Sequence, residues 1–195
     1  MNALLINGYE KFEGVGEAKL NNSLIEIAKD YFEKTGHRTK ITIIDSGYDA
    51  IEEHQKLLWA DLVFIQTSVY WFGIPGLFKS YIDRVFMVGY ADGTTVTGDG
   101  RSREDETKQY GSGGLLHNKK YMVSSTWNAP KSVFNNKEQF LQGMSVDQTL
   151  NQLHKSYQFL GLKQLPSFEI FDVFKSQESV AMQMEEFKQH LNNVI

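Results

Sequence analysis

The sequence contains no cysteine among its 195 residues. This absence excludes a disulfide scaffold, a thiolate metal site, a cysteine-ligated cluster and a cysteine nucleophile. Any redox chemistry must therefore use a bound cofactor. A large charge excess is also missing, because 20 basic residues stand against 24 acidic ones and the formal net charge is −4. Such a chain has no extended positive field to attract a phosphate backbone, so we expect no nucleic acid partner.

Apolar runs of membrane-spanning length are absent as well. The chain begins with an apolar strand and shows neither a charged leading region nor a cleavage site. We therefore expect a cytoplasmic protein without a membrane span. Hydrophobic residues make up 41% and charged residues 23%, and no linker is visible, so residues 1–195 should form one folded domain.

Metal and hydrolase signatures are missing too. The five histidines show no ligand spacing such as His-Glu-x-x-His, so we expect no protein-bound metal. The segment Gly111-Ser112-Gly113 lacks the glycine spacing of a nucleophile elbow. Hydrolase chemistry is therefore not indicated.

Short apolar runs alternate with longer helical patterns, which predicts βαβ units and a parallel sheet with helices on both faces. The predicted strands are residues 3–6, 39–44, 61–66, 120–125 and 165–171, and the predicted helices start near residues 20, 51, 75, 146 and 179. Five strands in this rhythm favour a flavodoxin-like, doubly wound α/β fold of order 2-1-3-4-5, with its ligand beyond the carboxyl ends of the strands. Residues 89–118 interrupt the rhythm with seven glycines and form a predicted active-site or interface loop.

Three segments follow the carboxyl ends of predicted strands 1, 3 and 4, and the fold would bring them around one ligand. The first leads into the helix near residue 20, and a helix start presents unpaired amides that suit a phosphate. Asn21, Asn22 and Ser23 can add side-chain donors, although ordinary N-capping explains the same residues. Lys19 occupies the third glycine position of a dinucleotide fingerprint, which excludes that motif.

The second segment places three consecutive aromatic residues, Tyr70, Trp71 and Phe72, between a strand and a helix. Packing cannot bury all three in one direction, and Gly73 lets the backbone approach a planar ligand. Such walls suit a flavin ring, and an aromatic cap on the sheet edge is the alternative interpretation. The third segment, 124–130, offers hydroxyl, amide and backbone donors to the polar edge of a flavin, or is an ordinary turn.

Further blocks are spread over nearly the whole chain. They are Leu5-Ile6-Asn7-Gly8, Leu58-Trp59-Ala60-Asp61, Trp71-Phe72-Gly73-Ile74-Pro75, Lys79-Ser80-Tyr81-Ile82-Asp83, Tyr110-Gly111-Ser112-Gly113-Gly114-Leu115 and Thr126-Trp127-Asn128-Ala129-Pro130. With these blocks the chain resembles the modulator of drug activity B family, which are NADPH:quinone oxidoreductases of the flavodoxin-like superfamily. The fifth and sixth blocks are specific to that family.

The resemblance implies FAD as cofactor, NADPH as electron donor, a quinone as acceptor and a homodimer with the flavin site near the subunit interface. Matched by position, the family's cofactor contacts fall on Val15, Gly16, Glu17, Ala18, Lys19, Leu20, Asn21, Asn22, Ser23, Val69, Tyr70, Trp71, Phe72, Tyr110, Thr126, Trp127, Asn128 and Ala129. The chain departs from the family at Ser68-Val69, where proline and glycine are frequent.

The predicted reaction is a two-electron reduction of quinones by a ping-pong cycle in which nicotinamide and quinone use the same place in turn. Tyr110 is expected to line the pocket, and His117 is a candidate proton donor unless it is a plain surface residue. Three alternatives stay open: an FMN-dependent azo- or nitroreductase of the same fold, a flavodoxin-type electron carrier, and a flavin-free binding module whose aromatic loop contacts another protein.

Overall fold

The computed structural model describes residues 1–14 and 18–195. Its parallel sheet has the strand order 2-1-3-4-5, which confirms the predicted fold class. The strands are β1 (Asn2–Asn7), β2 (Arg38–Ile43), β3 (Leu62–Ser68), β4 (Lys120–Thr126), β5 (Lys163–Gln164) and β6 (Phe168–Ile170). The helices are α1 (Lys19–Lys34), α2 (Ala50–Trp59), α3 (Gly76–Ala91), α4 (Val146–Thr149), α5 (Asn151–Phe159) and α6 (Gln177–Val194).

The outer edge of the sheet differs from the prediction of a single fifth strand. Two short segments, β5 and β6, both pair in parallel with β4, the first near its start and the second near its end. Pro166 lies between them and has no N–H to donate to a ladder. Only residues 168–170 of the strand predicted over 165–171 form a strand, and β5 lies before its predicted start. The helix predicted from residue 146 is likewise divided, because α4 and α5 meet at Leu150.

Helices cover both faces of the sheet, as the strand pattern predicts. β3 is buried over its whole length, and its alternate side chains enter two separate cores. One core packs β1 and β3 against α1 and α6 and includes Phe32 and Phe187. The other packs the opposite face against α2, α3 and α5 and includes Phe78 and Tyr157. This arrangement leaves the carboxyl ends of the strands as an open edge.

The long loop between α3 and β4 begins later than predicted, because α3 continues to Ala91. Within the loop, Val96 and Gly114 form an antiparallel bridge. The Leu116 N–H donates to the Leu160 carbonyl at 2.9 Å, which ties the loop to the end of α5. The loop is therefore folded back on the body of the domain. No helix among residues 1–14 and 18–195 is long and apolar enough to cross a membrane.

Candidate functional site

A cavity of about 540 Å³ lies at the carboxyl ends of β1, β3 and β4. This is the edge where a doubly wound sheet binds its ligand. The lining residues come from four connections that follow strands: Tyr9, Phe12, Leu20, Asn21, Ser68, Val69, Tyr70, Trp71, Thr126, Asn128, Val173 and Phe174. The three predicted segments therefore meet in space, and the loop after β6 adds a fourth wall that was not among the predicted segments.

The aromatic segment forms a tight turn between β3 and α3. The Tyr70 N–H donates to the Gly73 carbonyl at 2.9 Å, and the Gly73 N–H donates back to Tyr70 at 3.1 Å. Trp71 and Phe72 occupy the two central positions with φ of 51° and 65°. Large side chains in this left-handed region cost about 1–3 kcal/mol each, and Asn and Gly usually fill such turns. Strain of this kind is typical of functional sites.

Trp71 is 95% exposed, so packing within this chain does not explain why a large aromatic side chain occupies a strained position. Phe72 is half-exposed, and its ring lies 5.5 Å from that of Phe140, which is itself exposed. An aromatic cap that buries the sheet edge would cover these rings. Their exposure instead indicates a surface that binds a ligand or a partner chain.

A chain of buried hydrogen bonds supports the floor of the cavity. Gln66 Nε2 donates to Asn21 Oδ1 at 2.6 Å, and Asn21 Nδ2 donates to Ser68 Oγ at 2.6 Å. Thr126 Oγ1 donates to the same Ser68 oxygen at 3.4 Å. Among the described residues Gln66 Oε1 is buried without a hydrogen-bond partner. A buried amide oxygen left unpaired costs about 1–3 kcal/mol, and active sites are where such costs are commonly tolerated.

The loop between β1 and α1 is called the first loop, and its described residues 8–14 close the cavity through an aromatic contact. Phe12 meets the ring of Tyr70 edge-on, with 5.1 Å between centroids. The Tyr70 hydroxyl donates to the backbone carbonyl of Glu10 at 3.1 Å. Burial is the largest cause that raises the pKa of Tyr70 from 10.0 to about 12. The hydroxyl therefore stays protonated, and remains a donor, at alkaline pH values where an unperturbed tyrosine already ionises.

This pKa leads to a prediction about alkaline titration. An acid whose pKa is higher in the folded state contributes stability below its unfolded pKa and loses it as pH rises through the folded value. With its pKa at about 12, Tyr70 does not ionise between about pH 9 and 11. We expect wild type and Tyr70→Phe to show the same tyrosinate absorbance over this range. A missing ionisation step in Tyr70→Phe over this range would contradict the assignment.

The profile of the Flavodoxin-like fold family matches residues 1–195. The chain belongs to this family. It is 40% identical over 194 residues to the NADPH:quinone oxidoreductase MdaB of Haemophilus influenzae, with 100% of this chain and 99% of that protein covered. The resemblance to the modulator of drug activity B family is thereby confirmed.

Two solved structures show the same flavodoxin-like fold. A putative quinone reductase from Klebsiella pneumoniae superposes with a TM-score of 0.78 at 22% identity, covering 98% of this chain and 84% of that one. General stress protein 14 from Treponema denticola, solved in complex with FMN, superposes with a TM-score of 0.66 at 16% identity, covering 99% of both chains. At these identities the two likenesses concern the fold alone.

About half of the predicted cofactor-contact residues that the structure describes line the cavity. Those that line it are Leu20, Asn21, Val69, Tyr70, Trp71, Thr126 and Asn128, whereas Ala18, Lys19, Asn22, Ser23, Phe72, Tyr110, Trp127 and Ala129 do not. Predictions for Val15, Gly16 and Glu17 lie outside the described residues. The predicted contacts omit Tyr9, Phe12, Ser68, Val173 and Phe174. The last two follow the carboxyl end of β6, so the strand-end rule applied to the final strand would have found them.

Trp127, another predicted cofactor contact, does not line this cavity. Its indole Nε1 donates to Ser125 Oγ at 2.9 Å, and its ring packs edge-on against Phe134 with centroids 4.9 Å apart. The side chain is buried in the core. Only the neighbouring Thr126 and Asn128 line the cavity from this segment.

Tyr110 and His117, the two predicted catalytic residues, also lie away from the cavity. Tyr110 lines a second groove of about 1000 Å³ between α3 and α5, with its ring 5.6 Å from that of Phe159. His117 is exposed near Gly161, at the end of α5. The folding of the long loop onto α5 places both residues there. Within one chain, neither side chain lines the proposed site.

Proposed function

We propose that the chain is a flavin-dependent NAD(P)H:quinone oxidoreductase. The observation that carries this proposal is the cavity at the carboxyl ends of β1, β3 and β4, with a strained Trp71-Phe72 turn at its rim. Full-length similarity to an oxidoreductase named for NADPH and quinone supports the same activity. The absence of cysteine agrees with it, because electron transfer must then use a bound group.

The residues of the cavity fit a flavin. Its volume of about 540 Å³ is within the range of cofactor pockets. The aromatic rings of Phe12, Tyr70 and Trp71 suit a planar ring system. The hydrogen-bonded side chains that begin at Gln66, whose Oε1 has no partner, continue to Asn21 and Ser68 at the cavity wall. A bound flavin would supply the two-electron redox chemistry between a nicotinamide and a quinone.

The protein's own contribution is binding, orientation and exclusion of water. Asn21, Ser68 and Thr126 hold hydrogen-bonding groups at one wall in fixed orientations. The aromatic turn offers an apolar face against which flat substrates can be positioned. Because one cavity must admit both a nicotinamide and a quinone, we expect the two to bind in turn, with ping-pong kinetics.

We propose FAD rather than FMN as the flavin. The first loop and the start of α1, from Val15 to Ser23, would hold its phosphates and adenosine half, since a helix start favours anions. FMN binding by a protein of the same fold keeps the FMN-dependent azo- or nitroreductase as the second candidate. Chromatography of the flavin released from purified protein distinguishes the two.

We further propose a homodimer in which Tyr110 serves the site of the partner chain. The groove that holds Tyr110 has exposed apolar side chains, with Met87 and Tyr90 each 58% exposed. Asp83 and Lys155 lie on its two walls, so a two-fold pairing can set opposite charges against each other. A second copy would cover this groove and the exposed Trp71. Tyr110, which the resemblance makes a cofactor contact, would then reach the cavity of the partner chain and not that of its own chain.

The dimer proposal predicts a loss of assembly in Met87→Glu. A charge on this apolar face should give the mass of one chain in light scattering, whereas wild type gives twice that mass. Met182→Glu on α6 is the matched control, because Met182 is similarly exposed but lies on another face. A monomeric Met87→Glu that binds flavin as tightly as wild type would remove Tyr110 from the site.

An anaerobic absorption titration tests the activity. We expect the flavin bands of the reconstituted protein to bleach with stoichiometric NADPH and to return on addition of menadione. Binding of flavin without reduction by NADPH would instead indicate an electron carrier. A protein that binds no flavin would refute the proposal and leave the aromatic turn as a protein-binding surface.

A further inference from the structure

The loop after β1 is clamped to α3 by one carboxylate. Glu10 Oε2 accepts a hydrogen bond from the backbone N–H of Leu77 at 2.8 Å. In α3 itself, Pro75 gives no side-chain cap and the first turn has no acidic residue. A helix start carries unpaired N–H groups and the positive end of the helix dipole. Glu10 therefore supplies, from a loop distant in sequence, the cap that the sequence of α3 lacks.

Glu10 also contacts the other end of the aromatic turn. Its backbone carbonyl accepts the hydrogen bond from the Tyr70 hydroxyl, so Glu10 is bonded to residues on both sides of Trp71 and Phe72. Two residues further along, Phe12 packs its ring against that of Tyr70. The wall formed by the first loop and the wall formed by the aromatic turn thus depend on each other through Glu10.

A third bond anchors the same loop on its outer side. The Lys11 N–H donates to Asp45 Oδ1 at 3.2 Å, just beyond the end of β2. The neighbours Tyr9 and Phe12 line the cavity, whereas Glu10 itself does not. Any effect of Glu10 on a ligand must therefore act through the position of the loop.

We propose that Glu10 is a positioning residue that holds the first loop closed over the cavity and slows release of its cofactor. The inference rests on the proposed function, because it takes the cavity as the flavin site. With the clamp present, Phe12 stays against Tyr70 and the cavity keeps its aromatic wall. Without the carboxylate, the loop keeps the Lys11 contact and the bond from the Tyr70 hydroxyl to the Glu10 carbonyl, but it loses the side-chain bond to Leu77 that fixes its distance from α3.

The test compares Glu10→Ala with Glu10→Gln, which retains an acceptor oxygen but not the charge. We expect flavin to dissociate about tenfold faster from Glu10→Ala, and about threefold faster from Glu10→Gln, because a charged cap at a helix start outweighs a neutral one. Glu13→Ala is the matched control, since Glu13 lies exposed in the same loop. Release from Glu13→Ala should match wild type.

Amide hydrogen exchange of Leu77 in flavin-free protein reads the clamp directly. We expect faster exchange in Glu10→Ala, with no change in Glu13→Ala. Unchanged flavin release in Glu10→Ala, equal acceleration in Glu13→Ala, or continued protection of Leu77 would each overturn the proposal. A lower thermal midpoint with unchanged release would also overturn it, because Glu10 would then serve only folding. If wild type binds no flavin, the proposed function fails separately, and Leu77 exchange still shows whether the clamp forms.

Discussion

Trp71→Gly should stabilise the flavin-free protein and, in the same molecule, weaken flavin binding. Glycine adopts a φ of 51° without steric cost, whereas Trp71 adopts it under strain and buries almost none of its ring. We expect the free energy of unfolding to rise by about 0.5–1 kcal/mol. This is the relief of backbone strain minus the stability lost because glycine raises the conformational entropy of the unfolded chain. Urea unfolding of flavin-free wild type and variant measures this difference.

The flavin affinity of Trp71→Gly should fall at least about tenfold, because an aromatic contact with the ring is lost. Phe72→Gly is the matched comparison: it relieves similar strain but also removes the ring contact with Phe140, so its stability should change little. Opposite signs for stability and affinity would show that the turn sacrifices stability for binding. Wild-type affinity in Trp71→Gly would exclude Trp71 from the site, and a loss of stability would show that its ring is packed.

Gly114→Ala should destabilise the fold more than any surface substitution. A methyl group at this position would meet the backbone of Leu160 and Gly161, with the Gly161 nitrogen at 2.5 Å, and backbone atoms cannot move aside cheaply. Gly114 also forms the bridge with Val96 that folds the long loop. We expect a loss of about 2–3 kcal/mol in the free energy of unfolding, in the range for overpacking.

Gly73→Ala is the control for this stability measurement. Nothing lies within 4 Å of the added methyl group and the glycine φ is not positive, so the change should stay within about 0.5 kcal/mol. The same denaturant slope in all three proteins would confirm that only stability changes. Because Tyr110 lies four residues before Gly114, we also expect Gly114→Ala to weaken dimer formation. Wild-type stability in Gly114→Ala would mean that the loop does not dock on α5 as described.

Much of the cavity lining follows from the positions of residues at the carboxyl ends of the parallel strands. Val69 to Trp71 and the pair Leu20 and Asn21, all predicted cofactor contacts, line the cavity because the carboxyl ends of parallel strands share one edge. The Trp127 side chain packs on Phe134 and does not line the cavity, because the period of two along β4 does not continue into the irregular segment that follows. Phe12 was not among the predicted contacts, because its position depends on packing between two loops that are distant in sequence.

The sequence by itself determined the α/β class, the strand order, the aromatic turn and the edge of the sheet at which the cavity lies. These features follow from local periodicity and from the geometry of parallel strands, both of which neighbouring residues encode. Only the tertiary structure decided that two short strands on either side of Pro166 pair with β4, that Tyr110 lines a different groove from Trp71, and that Glu10 caps α3. Each of these depends on which distant backbone groups come within hydrogen-bonding or packing distance, and that information appears only when the whole chain is folded.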